Sequence, residues 1–347
     1  AQLDLGEIYA PLKGLRYRFN FGPDFRYYRN GTFRNEESIS SEGKNRASLS
    51  NQSDFSWTLD NLIYYDKEFG KHSVGLTLLQ SATGYHYEES SMAAEGIPLE
   101  SAKWNALSKE NVSLLDEWNS GLIEKQLLSY MFRVNYDYNN KYLLTVSGRW
   151  DGASQLAEGN KWAFFPSAAL GWRLDQEEFL KDVTWLNQLK FRLGVGVTGN
   201  SAIDPYQTKG AIVSLYYPFG SALAPGYAAS EPLIKDGAVA MANKNLSWEK
   251  TTQYNIGLDY SVLNGRISGV LDFYTSRTTD LLMAMTIPSL NGYTNTYANV
   301  GKTSNIGVDI TLNTVNVKTR DFEWSTSINA ASVSYTHLRA HETCADL

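Results

Sequence analysis

The chain has 347 residues, 43% hydrophobic and 13% aromatic, with a formal net charge of −6. The negative balance argues against a nucleic-acid partner, and no run approaches the roughly eighteen apolar residues of a membrane helix. That excludes a helical membrane protein but not a chain whose apolar residues are spread out by alternation. One cysteine allows no internal disulfide, and 22 Tyr with 9 Trp suit both strands and membrane interfaces. Ala1-Gln2-Leu3-Asp4 is polar and lacks the apolar core of a leader, so an exported chain is expected to be a mature form or an internal fragment.

The period is two almost throughout. Leu15, Tyr17, Phe19 and Phe21 alternate with Arg16, Arg18 and Asn20, a first strand that Gly22-Pro23 is expected to stop. The polar stretch RNGTFRNEESISSEGKNRAS reads as a loop. Phe55, Trp57 and Leu59 then oppose Asp54, Ser56 and Asp60; after a turn at 66–71, Val74, Leu76 and Leu78 oppose Ser73, Gly75 and Thr77. Residues 83–124 lose the period and are expected to form one large loop with short helical pieces. Tyr130, Phe132, Val134, Tyr136 and Tyr138 resume it, Asn139-Asn140 turns the chain, and Tyr142, Leu144 and Val146 return. Ala168, Leu170 and Trp172 form the next strand; Leu189, Phe191, Leu193, Val195 and Val197 the one after.

Residues 199–247 read as a second irregular region, with a strand near Ala211–Tyr217. Then Tyr254, Ile256, Leu258 and Tyr260 oppose Asn255, Gly257, Asp259 and Ser261, Asn264-Gly265 predicts a two-residue turn, and Ile267, Gly269, Leu271 and Phe273 return against Ser268, Val270, Asp272 and Tyr274. Residues 277–302 read as a third irregular region. A last pair joins Ile306, Val308, Ile310 and Leu312 to Phe322, Trp324 and Ile328.

Two features separate a membrane barrel from a soluble sandwich. Each arm of the 254–274 hairpin keeps its pattern for about ten residues, the length of a tilted membrane strand, whereas soluble strands run to about five or six. Short and long connections also alternate, as in barrels with short periplasmic turns and long extracellular loops. The expected fold is therefore all-β: a partial transmembrane antiparallel β-barrel with about twelve strands over residues 1–331. Alternation stops near Val333. Residues 332–347, with Cys344, His337 and His341, resemble a translated sequencing or assembly artefact and are expected to be a non-native tail.

Enzymatic chemistry finds little support. Gly194-Val195-Gly196-Val197-Thr198-Gly199 matches G-x-G-x-x-G, but the glycines lie within a strand pattern, and a dinucleotide site needs a helix after them. Asp259, Asp272 and Asp309 share the polar face with Arg133, Arg149, Arg173, Arg192, Arg16, Arg18 and Lys190; such mixed charge suggests ion pairs along a lumen wall rather than paired catalytic carboxylates. His72 and His86 form no metal pattern. No enzyme activity, cofactor or metal is expected. The ligand candidates are loop aromatics, whose rings give sugars or peptide side chains a stacking face: Trp104, Trp118, Tyr206, Tyr216, Tyr217, Tyr227, Tyr293 and Tyr297.

Several strings then add up: RWDGASQL at 149–156, WAFFPSAALGWRL at 162–174, LKFRLGVGVTGN at 189–200 with Pro205-Tyr206-Gln207, LSWEKTTQYNIGLDYSVLNGRISGVLDFY at 246–274 and NVGKTSNIGVDITLN at 299–313. Together they resemble the barrel of SusC/RagA-type TonB-dependent outer-membrane transporters. The resemblance implies an importer of oligosaccharides or peptides in the outer membrane of a Gram-negative bacterium, working with a SusD-like surface lipoprotein and driven by the TonB complex. It also implies about twenty-two strands for a whole barrel, so that the plug, the TonB-contacting N-terminal region and the closing strands are expected to be missing here. A passive porin and a soluble all-β carbohydrate-binding domain are the alternatives; upstream sequence separates the first from an importer, and detergent dependence separates the second.

Overall fold

A computed structural model describes the backbone of residues 1–108, 114–209, 212–219, 222–229, 240–288 and 295–338, and the side chains of these apart from 114–117, 212–219, 222–229, 240 and 337–338. Among the described residues no helix is long and apolar enough to cross a membrane. The strands are β1 (Gln2–Asp4), β2 (Leu15–Arg34), β3 (Arg46–Phe69), β4 (His72–Glu95), β5 (Leu114–Tyr138), β6 (Tyr142–Ala153), β7 (Trp162–Arg173), β8 (Leu186–Asn200), β9 (Ile212–Phe219), β10 (Ala222–Ala229), β11 (Ala240–Met241), β12 (Glu249–Val262), β13 (Ile267–Thr279), β14 (Leu282–Thr286), β15 (Asn295–Asn299), β16 (Lys302–Lys318) and β17 (Glu323–Leu338). Twelve form one sheet in the order β1-β2-β3-β4-β5-β6-β7-β8-β12-β13-β16-β17; β9 and β10 pair with each other, and β11, β15 and β14 make a third, small sheet. Two compact units result. One holds residues 1–19, 61–80 and 128–347; the other holds 20–60 and 81–127.

In the first unit the ladder registers carry the sequence alternation across the sheet. Leu144, Leu170, Leu193, Ile256, Phe273 and Val308 are successive cross-strand partners on one face. So are Tyr142, Trp172, Phe191, Leu258, Leu271 and Ile310, one row nearer the turns. This face is exposed: Leu170 is 54% accessible, Phe273 48% and Ile256 47%. Soluble proteins do not leave an apolar surface of this extent open to water. Acyl chains are the solvent that suits it, and the backbone groups beneath are satisfied by the ladder.

The turn end of the sheet carries a ring of aromatic side chains. Phe69 stacks on His72 at 5.4 Å, His72 lies 4.9 Å from Tyr138, Tyr138 stacks on Tyr142 at 6.3 Å and Tyr142 on Trp172 at 6.4 Å. Such amphipathic rings belong at a membrane–water boundary. Glu177, in the β7–β8 connection, ties two of them down: it accepts from Tyr142 Oη at 2.7 Å and Trp172 Nε1 at 2.9 Å, and pairs with Lys141 Nζ at 2.9 Å.

The tight turns agree with their residues. Asn139 and Asn140 both take positive φ, 58° and 53°, and Lys141 N closes on Tyr138 O at 3.0 Å, a type I′ geometry. The β12–β13 connection differs from the predicted two-residue turn. It has four residues, and Leu263, Asn264 and Gly265 all have φ between 55° and 78°. The ladder ends at Val262↔Ile267, one pair before a two-residue turn would close.

The largest correction concerns the expected loops. β2, β3, β4 and β5 run 20, 24, 24 and 25 residues, so about half of the stretches read as loops at 29–48 and 83–124 is strand. These stretches belong to the second unit and carry polar residues on both sides; a ladder needs only backbone groups, and without a one-sided burden of apolar residues there is no alternation to read. Pro23 does not stop β2, because β1 pairs with it only as far as Arg18 and a proline is tolerated where one side of a strand is open. Of the second irregular region the structure describes a β9–β10 hairpin, where a strand near 211–217 was expected; of the third it describes an extended β13 and the pair β14–β15. β17 keeps pairing with β16 through Leu338↔Lys302, beyond the end of the alternation near Val333; residues 339–347, including His341 and Cys344, lie outside the described residues.

Two tests follow from this arrangement. An arginine at Leu258 faces hydrocarbon and costs about 2–4 kcal/mol at mid-bilayer; one at Asp309, exposed on the opposite face, does not. Outer-membrane insertion measured by fractionation and heat-modifiable mobility should fall for Leu258→Arg and hold for Asp309→Arg; equal yields would reverse the facing assignment. The three donors at Glu177 hold its carboxyl at about 2, down from 4.5, with Lys141 the largest cause. A depressed acid stabilises the fold above its unfolded value and loses that contribution as pH falls from about 4.5 towards 2. Glu177→Gln should therefore flatten the fall of melting temperature over that window, and an unchanged acid profile would count against the cluster.

Candidate functional site

The polar face of the first unit is organised around Arg192. In the register Arg192 lies between Gly171 and Gly257, and beyond Gly257 come Asp272 and Asp309. Neighbouring strands are about 4.8 Å apart, so an arginine that reaches across one strand meets the next. Its Nε bonds both oxygens of Asp259 at 3.0 and 3.1 Å, and Nη2 bonds both oxygens of Asp272 at 3.0 and 3.2 Å. Asn255 Nδ2 adds a 3.3 Å contact to Asp272. Gly257 makes this possible: a Cβ there would sit 2.6 Å from Arg192 Nη2 and 2.6 Å from Asp272 Oδ1. The three side chains are 21–31% exposed, so the pairs are partly screened.

The other predicted wall charges divide. Arg149 pairs with the buried Asp151 at 2.7 Å and donates to Ser129 Oγ at 3.0 Å. Arg173 donates to Asp175 at 2.8 Å, while its buried Nε has no acceptor. Arg133 and Asp309 are exposed and form no ion pair among the described residues. Asp309 stands directly opposite Asp272, an unfavourable like-charge placement that the Arg192 contact to Asp272 offsets. Opposed charges that neutralise one another line a polar wall; they do not set up a filter of one sign.

Away from the turns, the first unit closes on a small buried core. Leu246 is fully buried, and Leu156, Ala157, Ile203, Phe165 and Trp248 pack with it. Trp248 meets the Phe165 ring edge-on at 5.3 Å and donates to Lys161 O at 2.8 Å; Ala157 N bonds Leu246 O, and Gln155 Nε2 bonds Ser201 O at 3.0 Å. Gly199, the last glycine of the G-x-G-x-x-G string, lies under the Phe165 ring, where a methyl would collide. Strings far apart in the chain thus form one keystone beneath the loops, and Tyr206 leaves it 41% exposed at φ 73°.

The structure does not bring the eight candidate aromatics together. Trp104 packs flat on Gly31, under Lys103, so its ring is half-committed. Trp118 is 80% exposed, but it stands on strand β5 rather than in a loop, beside a groove shared with Met92 and Leu107. Tyr297 is half-buried in β15, its carbonyl held by Asn243 Nδ2 at 2.8 Å. Tyr216, Tyr217 and Tyr227 lie on the β9–β10 hairpin with side chains outside the described residues, as is Tyr293 altogether. Sequence reasoning missed two built features. In the second unit, buried Glu95 joins Lys44 Nζ at 2.8 Å and Arg46 Nη2 at 2.6 Å, from stretches read as loop. In the first, Tyr17, Asn61 and Gln80 hydrogen-bond in series on the apolar face.

If Arg192 holds the polar face, Arg192→Met should lower unfolding stability by about 1–3 kcal/mol, because two partly buried carboxylates lose their donor. Gly257→Ala should cost a similar amount, and the double variant should cost less than the sum. Strict additivity in denaturant titration would show that the glycine does not serve the arginine.

Comparison with known proteins agrees with this architecture. Residues 5–346 match the family model described as TonB dependent receptor-like, beta-barrel. The TonB-dependent receptor SusC of Bacteroides thetaiotaomicron is 34% identical over 334 residues, covering 90% of this chain and 31% of the relative. TonB-dependent receptor P26 of Formosa agariphila is 33% identical, covering 93% and 32%. The structure of the RagAB peptide transporter superposes with a TM-score of 0.83 at 24% identity, covering 95% of this chain and 35% of the other. The chain spans about a third of the length of these relatives.

Proposed function

The chain belongs to the TonB-dependent receptor β-barrel family of the Gram-negative outer membrane, and from that premise we propose that it serves TonB-driven import of oligosaccharides or peptides alongside a SusD-like surface lipoprotein. The observation that carries the proposal is the pairing of two opposed faces on one sheet: an exposed apolar face suited to lipid and a charge-balanced polar wall built around Arg192. The two nutrient classes come from the resemblance to SusC/RagA-type transporters; the relatives add the family and, through the RagAB peptide transporter, a shared fold. The fixed charges are matched in sign, which suits a wall that lets uncharged or mixed-charge solutes pass. The role is transport rather than chemistry on the solute. Arg133 and Asp309, without ion-pair partners among the described residues, are the wall groups best placed to meet a plug; Arg149, Arg173, Arg192, Asp259 and Asp272 line the lumen.

Ligand contact falls first to the exposed rings. Tyr206 rises from the buried keystone, so its stacking face is held without much loss of side-chain freedom, and Trp118 offers a second, strand-borne platform. Trp104, Tyr216, Tyr217, Tyr227, Tyr293 and Tyr297 remain further candidates.

The test is uptake by cells carrying the protein in its native length. Labelled oligosaccharide and peptide pools are offered with and without a protonophore. Import should stop when the proton gradient collapses, and a surface lipoprotein should co-purify; uptake indifferent to the gradient would indicate a passive pore. Tyr206→Ala should weaken ligand binding by about 1–2 kcal/mol, as loss of a moderate hot spot does, with insertion unchanged.

A further inference from the structure

The apolar face bears one feature that simple contact with lipid does not need. Tyr17 Oη donates to Asn61 Oδ1 at 2.6 Å, and Asn61 Nδ2 donates to Gln80 Oε1 at 2.6 Å. Tyr17 belongs to the apolar alternation of β2; Asn61 continues that of β3 two residues before Ile63, and Gln80 that of β4 two residues after Leu78. The chain of bonds has a direction. Asn61 and Gln80 each accept through their amide oxygen, and among the described residues Nε2 of Gln80 is left with no protein acceptor. An amide donor beside hydrocarbon is costly unless met.

A groove of 360 Å³ runs from this amide, lined by Tyr17, Asn61, Ile63, Leu78, Phe132 and Trp150 among others. That volume lies in the range of ligand pockets and far above the ~30 Å³ of one water. Its depth can be placed. Gln80 is nine residues beyond the Gly70-Lys71 turn, roughly 20 Å along the bilayer normal for a strand tilted about 40°. The aromatic ring at Phe69 and His72 marks the turn-side boundary, and the apolar band of such barrels is about 25 Å tall. Gln80 therefore lies near the far, loop-side edge of the band, with Ile63 and Leu78 one step deeper.

We propose that this groove seats one fatty acyl chain of an outer-leaflet glycolipid, with Gln80 Nε2 donating to the ester or amide carbonyl that joins the chain to its sugar. The arrangement fits in three respects. The groove is continuous with the face already turned to lipid, so its occupant is a lipid. Its height selects the leaflet on the loop side, which in an outer membrane is glycolipid. The unmatched Gln80 amide stands where an acyl carbonyl enters the hydrocarbon, and the apolar walls continue inward from there, as the chain would. Phospholipid of the inner leaflet presents its carbonyls near the aromatic ring, at the opposite edge.

The test uses the protein in its native length in intact outer membranes. A photoreactive benzoylphenylalanine replaces Leu78 and, separately, Val195, which lies on the same face and is 41% exposed. After irradiation, adducts are identified by mass. Glycolipid acyl adducts should form at least fivefold more at position 78 than at 195, and Gln80→Leu should remove most of that excess while the heat-modifiable band stays unchanged. Equal glycolipid labelling at both positions, an excess that survives Gln80→Leu, or a phospholipid or protein adduct at 78 would each overturn the proposal.

Discussion

Backbone N–H and C=O groups have no water to turn to inside a hydrocarbon layer, and each one left unmatched costs several kcal/mol. The rest of this structure follows from satisfying them with a continuous antiparallel ladder. The ladder runs through twelve strands without a crossover except where β9–β11 and β14–β15 branch off. Once the backbone is satisfied by neighbours, the side chains are free to differ completely on the two faces. Rows such as Leu144–Leu170–Leu193–Ile256–Phe273–Val308 collect on one side, and the Arg192 row on the other. Pro166 pairs with Gly148 of β6 but lies one residue outside the β7–β8 ladder, so that side of it is open, as a strand proline requires.

On the polar side, the same pleat that separates the faces also fixes which charges meet. Arg192 can bridge two aspartates on different strands only because Gly257 leaves the intervening position empty. A glycine in a strand normally weakens it; here the space it opens holds a four-bond contact. The packed keystone of Leu156, Leu246, Trp248 and Phe165 then fixes the loop-side ends of β6, β7, β8 and β12 relative to one another. Exposed rings such as Tyr206 stand on that rigid base, which is where residues that touch a solute are best placed.

Much of the first unit could be read from residues alone, because each strand there has water on one side and lipid on the other, and that asymmetry writes itself as period two. The second unit was legible only around Phe55, Trp57 and Leu59. Elsewhere its strands carry polar residues on both sides, so nothing in RNGTFRNEES or in residues 83–95 distinguishes a paired strand from a loop. The charges at the wall were legible as a set, but not the pairing: Arg192 with Asp259 and Asp272 depends on register, whereas Arg149 and Arg173 take partners two residues along their own chain. The candidate aromatics were chosen by residue type in supposed loops, and the loops were the least legible part. The Tyr17–Asn61–Gln80 series was invisible, since Asn and Gln on an apolar stripe look like interruptions until their hydrogen bonds are seen.

The central claim is that one face of the sheet meets hydrocarbon and the other water. The most direct measurement is a nitroxide scan of residues 254–261 in the native-length protein with its native cysteines replaced by serine, reconstituted in bilayers. Oxygen collisions should peak at 254, 256, 258 and 260 and collisions with a water-soluble nickel chelate at 255, 257, 259 and 261. A profile without period two, or chelate access at 256 and 258 equal to that at 259, would contradict it.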